Sequence, residues 1–140
     1  MAIQPQSLIT IGVLLLALVT VESGGLFLKR VAQGDVPTND LQKSFFRAGH
    51  AHAAVLLVLS IAILGVIDRA GFTGFWELVA RDGVPAAAIL MPAGFFLSVI
   101  GQNPARPNRF VILLWIGVVS LTVGLLVAGV GLLTAGIRGL

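Results

Sequence analysis

Four long apolar stretches, separated by short polar connections, dominate the pattern along this chain. They run from about Leu8 to Leu28, Phe45 to Ile67, Val84 to Gly101 and Phe110 to Gly136. A helix needs about 20 mostly apolar residues, with a range of roughly 17–25, to cross the hydrocarbon layer of a bilayer. The pattern therefore predicts an all-α integral membrane protein, a four-transmembrane-helix bundle in which residues 1–140 form a single domain.

Composition agrees with a membrane protein and excludes several other classes. Of the 140 residues 57% are hydrophobic and 11% are charged, whereas soluble domains have about 25% charged residues. The chain therefore has too few polar groups for a soluble enzyme, a nucleic-acid-binding domain or a disordered segment. It has no cysteine, which excludes disulfides and thiolate metal sites. We find no P-loop, zinc-protease or nucleophile-elbow motif, so no autonomous catalytic activity is indicated.

The connection between spans two and three, Asp68 to Gly83, is more than a turn. It mixes aromatic and aliphatic side chains with charged ones, and Thr73 is placed to cap a helix. The pattern predicts a short amphipathic helix at the membrane interface, with Trp76 at headgroup level; an ordered loop is the alternative. Pro85 would then lie in the first turn of the third span, where its missing N–H costs nothing.

The distribution of cations predicts the orientation. Loops one and three with their flanks carry six cations, and the opposite side carries three: Lys29, Arg30, Lys43, Arg47, Arg106 and Arg109 against Arg69, Arg81 and Arg138. Cytoplasmic loops are enriched in Lys and Arg. Loops one and three are therefore expected in the cytoplasm and both termini outside. The chain as a whole resembles small four-span bacterial membrane proteins, which implies the bacterial plasma membrane.

The fourth span carries small residues at helical spacing. Gly117, Gly124 and Gly131 recur every seven residues. Helices in lipid associate where small residues let their backbones approach closely. We therefore expect a partner helix on this face, either from the same chain, from a second copy in a homo-oligomer, or from a larger membrane complex.

Three ionisable residues lie at membrane depth. Glu22 precedes Leu28 by six residues, or ~9 Å along a helix, whereas His50 and His52 follow Phe45 by ~8 and ~11 Å. Spans one and two are antiparallel and joined by one loop, so these three side chains are expected in the same layer of the cytoplasmic half. Ionisable residues at such depth usually face the protein interior and carry function.

Other polar residues are expected at the same end of the bundle. Ser98, Gln102 and Asn103 end the third span and could support the layer. Arg47 lies just above it and could pair with Glu22 or with an anionic group such as a haem propionate.

The chemistry of this layer leaves three interpretations. Imidazole and carboxylate are ligands for transition metals, and one histidine could ligate haem iron. His50 and His52 point ~200° apart on a regular helix, so they cannot both ligate one ion there, and the deeper His52 is the favoured ligand. A second interpretation is a proton-linked small transporter, because histidine titrates near neutrality. The third is a structural Glu–His pair in an accessory subunit of a larger complex.

Overall fold

The computed structural model describes residues 3–140 and consists of four long helices that run up and down. Their bounds are α1 (Pro5–Gln33), α2 (Asp40–Ile67), α3 (Gly74–Ser98) and α4 (Val111–Arg138), with one 3₁₀ turn at Asp68–Ala70 after α2. All four are long and apolar enough to cross a membrane, and the described residues contain no strand. The predicted all-α membrane fold with four spanning helices is therefore confirmed.

Polar contacts identify which chain segments share each end of the bundle. The backbone N–H of Gln4, just before α1, donates to the Asp68 carboxylate that follows α2, at 2.7 Å. At the opposite end, Asn39 before α2 donates to Asn103 after α3, at 2.9 Å. Loops one and three therefore lie together, and the start of α1 lies with the α2–α3 connection.

The side chains of Asn39 and Gln42 cap the N-terminus of α2 and also form hydrogen bonds with the α3–α4 connection. Asn39 and Gln42 form a reciprocal capping box, with N···O distances of 2.9 and 3.1 Å, which satisfies N–H groups that a helix start leaves free. The same Asn39 amide donates to the Pro104 carbonyl at 2.8 Å, and Gln42 donates to the carbonyls of Val99 and Gly101 at 3.1 and 3.0 Å. The residues that cap α2 thus also hold the C-terminal end of α3 in place.

The segment expected to form a separate interfacial helix is instead the first part of α3. The helix begins at Gly74 and continues without a break through Pro85, which is an interior position and not a first turn. Thr73 does occupy the N-cap position, but its side chain makes no capping bond. Ser120 of α4 donates to the Gly83 carbonyl at 2.8 Å, so a side chain of α4 binds the α3 backbone two residues before the proline.

The small-residue face of α4 is covered by α3 and by Phe72, which precedes α3 in the same chain. Four small residues on this face are buried: Gly117, Gly124, Ala128 and Gly131. A Cβ atom built at Gly124 would lie 3.1 Å from the Cα and carbonyl carbon of Gly83, and one built at Gly131 would overlap the Phe72 ring. Contacts within the chain therefore bury this face without a second copy.

Helix α1 lies at the edge of the bundle and packs chiefly against α2. Ser7, Leu14 and Val31 are its buried residues. Within the most apolar window of each helix, 6% of residues are buried in α1 and 44% in α3. Most of the α1 surface is therefore left for contacts outside the chain.

Candidate functional site

The two histidines lie in an aromatic layer that joins three helices near the end of loops one and three. The ring centroids are 5.5 Å apart for Phe27–Phe46 and 5.6 Å apart for both Phe46–Phe96 and Phe45–Phe95. Gly49 permits this packing, because a Cβ atom there would come within 2.9 Å of the Phe96 ring. The sequence shows these phenylalanines, but it does not show that they meet across helices.

His50 faces α1 at the point where that helix has two glycines. Cβ atoms built at Gly24 and Gly25 would lie 3.4 Å from its Nδ1 and 3.7 Å from its Nε2. These are ordinary contact distances, so the partly buried imidazole fills the space above the two glycines. His50 therefore packs between α1 and α2.

His52 faces α3 instead and is oriented by its own helix. Its Nδ1 lies 2.7 Å from the Ala48 carbonyl oxygen. A carbonyl oxygen only accepts, so Nδ1–H is the donor, and Nε2 of the neutral ring is left with its lone pair. The ring lies over Phe95, with centroids 5.0 Å apart. The two imidazoles thus contact different helices.

Glu22 is exposed and does not point into the bundle. It forms no ion pair with any residue between 3 and 140. No group of three or more His, Asp or Glu side chains among these residues could hold a metal ion. The structure therefore does not bring Glu22, His50 and His52 together as one ligand set, and binding of a metal or haem stays a prediction.

The four residues expected to support the layer have other contacts. Arg47 is exposed, and its Nε donates to the Lys43 carbonyl at 3.3 Å. Buried Ser98 donates to the Phe95 carbonyl of its own helix at 3.2 Å. Asn103 binds Asn39, and Gln102 lines an open groove between loops one and three.

An exposed stripe on α1 contains Glu22. Its members alternate at spacings of four and three residues, and all of them are exposed: Leu8, Gly12, Leu15, Val19, Glu22 and Leu26. We call these six residues the α1 outer stripe. Spacings of four and three are those of a helix–helix seam, and the chain places nothing within 4 Å of a Cβ atom built at Gly12. Glu22 is thus the one ionisable member of an otherwise apolar seam.

A buried polar cluster at the other end of the bundle was not predicted from the sequence. The Asp68 carboxylate accepts from the Gln4 N–H at 2.7 Å, from Ser7 Oγ at 3.1 Å and from Arg81 Nη2 at 2.9 Å. Arg81 also pairs with Glu77 at 2.9 Å. The side chains of Asp68 and Arg81 are only 4% and 11% exposed. We call these five residues the Asp68 cluster.

The Asp68 cluster encloses a small cavity and fastens α1 to the α2–α3 turn. The cavity, of about 10 Å³, is lined by Gln4, Asp68, Glu77 and Arg81 together with apolar side chains; it has room for about one water molecule. The Nε atom of Arg81 is buried without a hydrogen-bond partner in the described part of the chain. The Glu77–Arg81 spacing of four residues is visible in the sequence, but the contact with Gln4 is not.

Comparisons with protein-family models, curated proteins and solved structures found no match to this chain.

Proposed function

We propose that this protein is an accessory subunit of a larger membrane assembly and that the α1 outer stripe is the surface its partner covers. One observation carries the proposal: Glu22 is exposed on an edge helix, inside an apolar stretch and ~9 Å from its end. Ionisable residues at membrane depth are costly and almost always face protein or water-filled cavities. A protein partner on α1 would give Glu22 such surroundings.

The other helices offer weaker candidates for this contact. The small residues of α4, for which the sequence left a partner in the same chain or in an oligomer open, are already buried by α3 and Phe72. The exposed side chains of α2 around Val55 and Val58 are apolar and need no partner in lipid. The α1 outer stripe differs because it combines an exposed apolar seam with a carboxyl group.

Photo-crosslinking in native membranes tests whether protein covers α1. Benzoylphenylalanine would replace Leu16, beside the outer stripe, or Leu126 on α4 as the control; the two leucines are 73% and 62% exposed. We expect a discrete protein adduct from position 16 that is lost on adding Glu22→Leu, and lipid adducts from position 126. Lipid adducts alone at position 16 would refute the proposal.

The cation distribution supports a specific orientation for this subunit. Arg81 is held by Asp68 and Glu77, so the exposed cations at its end of the bundle are Arg69 and Arg138. We propose that this end lies outside and that loops one and three face the cytoplasm of a bacterial plasma membrane.

A second candidate function is ligation of a metal or haem iron by His52. It is favoured by the 2.7 Å contact from Nδ1 to the Ala48 carbonyl oxygen, since metal-ligating histidines usually donate their other N–H in this way. Purified protein would be offered iron, copper, zinc, nickel and haem in turn, followed by absorption and elemental analysis. His52→Ala should lose binding and His50→Ala should retain it. Equal binding by the wild type and by a variant that carries both His50→Ala and His52→Ala would refute this function.

A further inference from the structure

We infer that an open pocket between the end of α1 and the start of α2 binds the phosphate group of an anionic phospholipid, such as phosphatidylglycerol. The pocket has a volume of about 250 Å³ and is lined by three apolar side chains of α1 and two cations of α2: Leu28, Val31, Ala32, Lys43 and Arg47. We call it the α1–α2 pocket. None of these residues belongs to the α1 outer stripe, so occupancy of the pocket does not depend on what covers that stripe.

The two cations lie at the boundary of the hydrocarbon layer. Lys43 and Arg47 are four residues apart and therefore share one face of α2. The second apolar stretch begins at about Phe45, so Lys43 lies ~3 Å before this boundary and Arg47 ~3 Å after it along the helix. On α1, the first apolar stretch ends at Leu28, which lines the same pocket. Both helices thus place the pocket where the hydrocarbon meets the headgroups, which is the level of the lipid phosphates.

The charges of these two side chains have little compensation within the chain. Lys43 lies 3.8 Å from Asp40, whose side chain is fully exposed, and such surface ion pairs are weak. Arg47 forms no ion pair with any residue between 3 and 140. Its Nε donates to the Lys43 carbonyl at 3.3 Å, which leaves the two terminal guanidinium nitrogens to a ligand. A guanidinium binds phosphate through two parallel hydrogen bonds.

The charge around the pocket favours an anionic headgroup over a zwitterionic one. Residues 28–47 carry four cations and two carboxylates: Lys29, Arg30, Lys43 and Arg47 against Asp35 and Asp40. Basic pockets between transmembrane helices bind anionic headgroups. Phosphatidylcholine would bring its own ammonium group into this excess of positive charge, whereas phosphatidylglycerol brings only the phosphate anion.

The apolar wall of the pocket favours a lipid over a soluble anion. Leu28, Val31 and Ala32 form this wall, on a helix that packs chiefly against α2. The pocket therefore lies at the perimeter of the bundle, where acyl chains reach it. Burial of apolar surface stabilises apolar groups, so a phosphate ion gains nothing from the wall. A phospholipid places its phosphate against the cations and the beginning of its acyl chains against the wall.

Native mass spectrometry of the protein in a neutral detergent tests the site. Purified protein would be titrated with phosphatidylglycerol or with phosphatidylcholine of the same acyl chains. We expect one phosphatidylglycerol to be retained per chain, more tightly than phosphatidylcholine. A variant carrying both Lys43→Gln and Arg47→Gln should bind phosphatidylglycerol about tenfold more weakly or worse, because each cation contributes to the attraction of an anionic headgroup.

Matched variants separate the pocket from the net charge of the protein. Arg106→Gln together with Arg109→Gln removes the same charge from exposed positions at the same end of the bundle and should retain binding. Ala32→Trp keeps every charge but fills the pocket, so it should weaken binding. Gln33→Trp, at the exposed neighbouring position outside the pocket, should not. Circular dichroism of the same samples identifies the variants that are folded.

Three results would overturn the lipid site. Equal weakening by the two double variants would mean that net charge alone attracts the lipid. Equal binding of phosphatidylcholine and phosphatidylglycerol would remove the preference for an anionic headgroup. Displacement of the bound lipid by inorganic phosphate or by a polyglutamate peptide at the same concentration would make the pocket a general anion site.

Discussion

A close backbone contact between α3 and α4, at Gly83 and Gly124, gives a sharp test of the fold. A Cβ atom built at Gly83 would lie 2.8 Å from the Gly124 Cα, and one built at Gly124 would lie 3.1 Å from the Gly83 Cα. These neighbours are backbone atoms, which cannot rotate away. In Gly83→Ala, the two helices must therefore separate.

The expected loss of stability follows from three contributions. Overpacking costs typically ~1–3 kcal/mol. Separation also lengthens the 2.8 Å bond from Ser120 Oγ to the Gly83 carbonyl, and such bonds in membrane proteins average about 0.6 kcal/mol. Against these, replacing glycine by alanine inside a helix gains ~0.5–1 kcal/mol. Gly83→Ala should thus lose about 0.5–3 kcal/mol, and Gly124→Ala somewhat less.

Gly129→Ala is the matched control on α4, because nothing lies within 4 Å of its Cβ position. In this variant alanine stabilises the helix without any overpacking, so the protein should be more stable by about 0.5–1 kcal/mol. Unfolding by dodecyl sulfate in mixed micelles, followed by circular dichroism, measures all three variants. Gly83→Ala and Gly124→Ala should lower the dodecyl sulfate fraction at the unfolding midpoint, whereas Gly129→Ala should raise it. Equal shifts for Gly83→Ala and Gly129→Ala would refute the close α3–α4 contact.

Three further predictions concern the two ends of the bundle. Cysteines at Gln33 and Asn108 should be protected from an impermeant thiol reagent outside intact cells; labelling of both would reverse the proposed orientation. Asn39→Ala should lose about 1 kcal/mol from its cap alone, measured in the same unfolding assay, whereas Asp40→Ala at the fully exposed neighbouring position should lose less. Arg81→Met should lower the free energy of unfolding by about 3–5 kcal/mol, because it leaves the buried Asp68 carboxylate without its cation. Adding Asp68→Asn should recover part of that loss. A larger loss in the double variant would contradict the pairing of Asp68 with Arg81.

The hydropathy pattern was sufficient for the number and type of helices. Each span is a long run of apolar residues, and no alternative structure satisfies its backbone hydrogen bonds in lipid. The spacing of Gly117, Gly124 and Gly131 also identified a face on which another helix packs. It could not identify that helix, because α3 and a second copy would both fit a groove of small residues.

The beginning of α3 shows where the sequence pattern was misleading. Arg81 and Asp82 followed by Pro85 resemble a boundary, because charges interrupt the apolar run and proline favours a first turn. In the structure, Asp68 and Glu77 pair with Arg81, so the helix continues through it. The Asp68 partner is 13 residues away and Gln4 is 77 residues away. No local pattern contains these contacts.

Helix rotation is the main reason that the site could not be predicted. Apolar spacing fixes the depth of Glu22, but α1 is apolar on every side, so spacing alone does not say which side meets α2. In the structure, α1 packs chiefly against α2, and the buried residues of α1 are Ser7, Leu14 and Val31. Glu22 therefore lies beside that contact and remains exposed, while His50 takes the space above Gly24 and Gly25. A carboxyl and an imidazole at one depth thus have different surroundings: the imidazole packs between α1 and α2, and the carboxyl is exposed on α1.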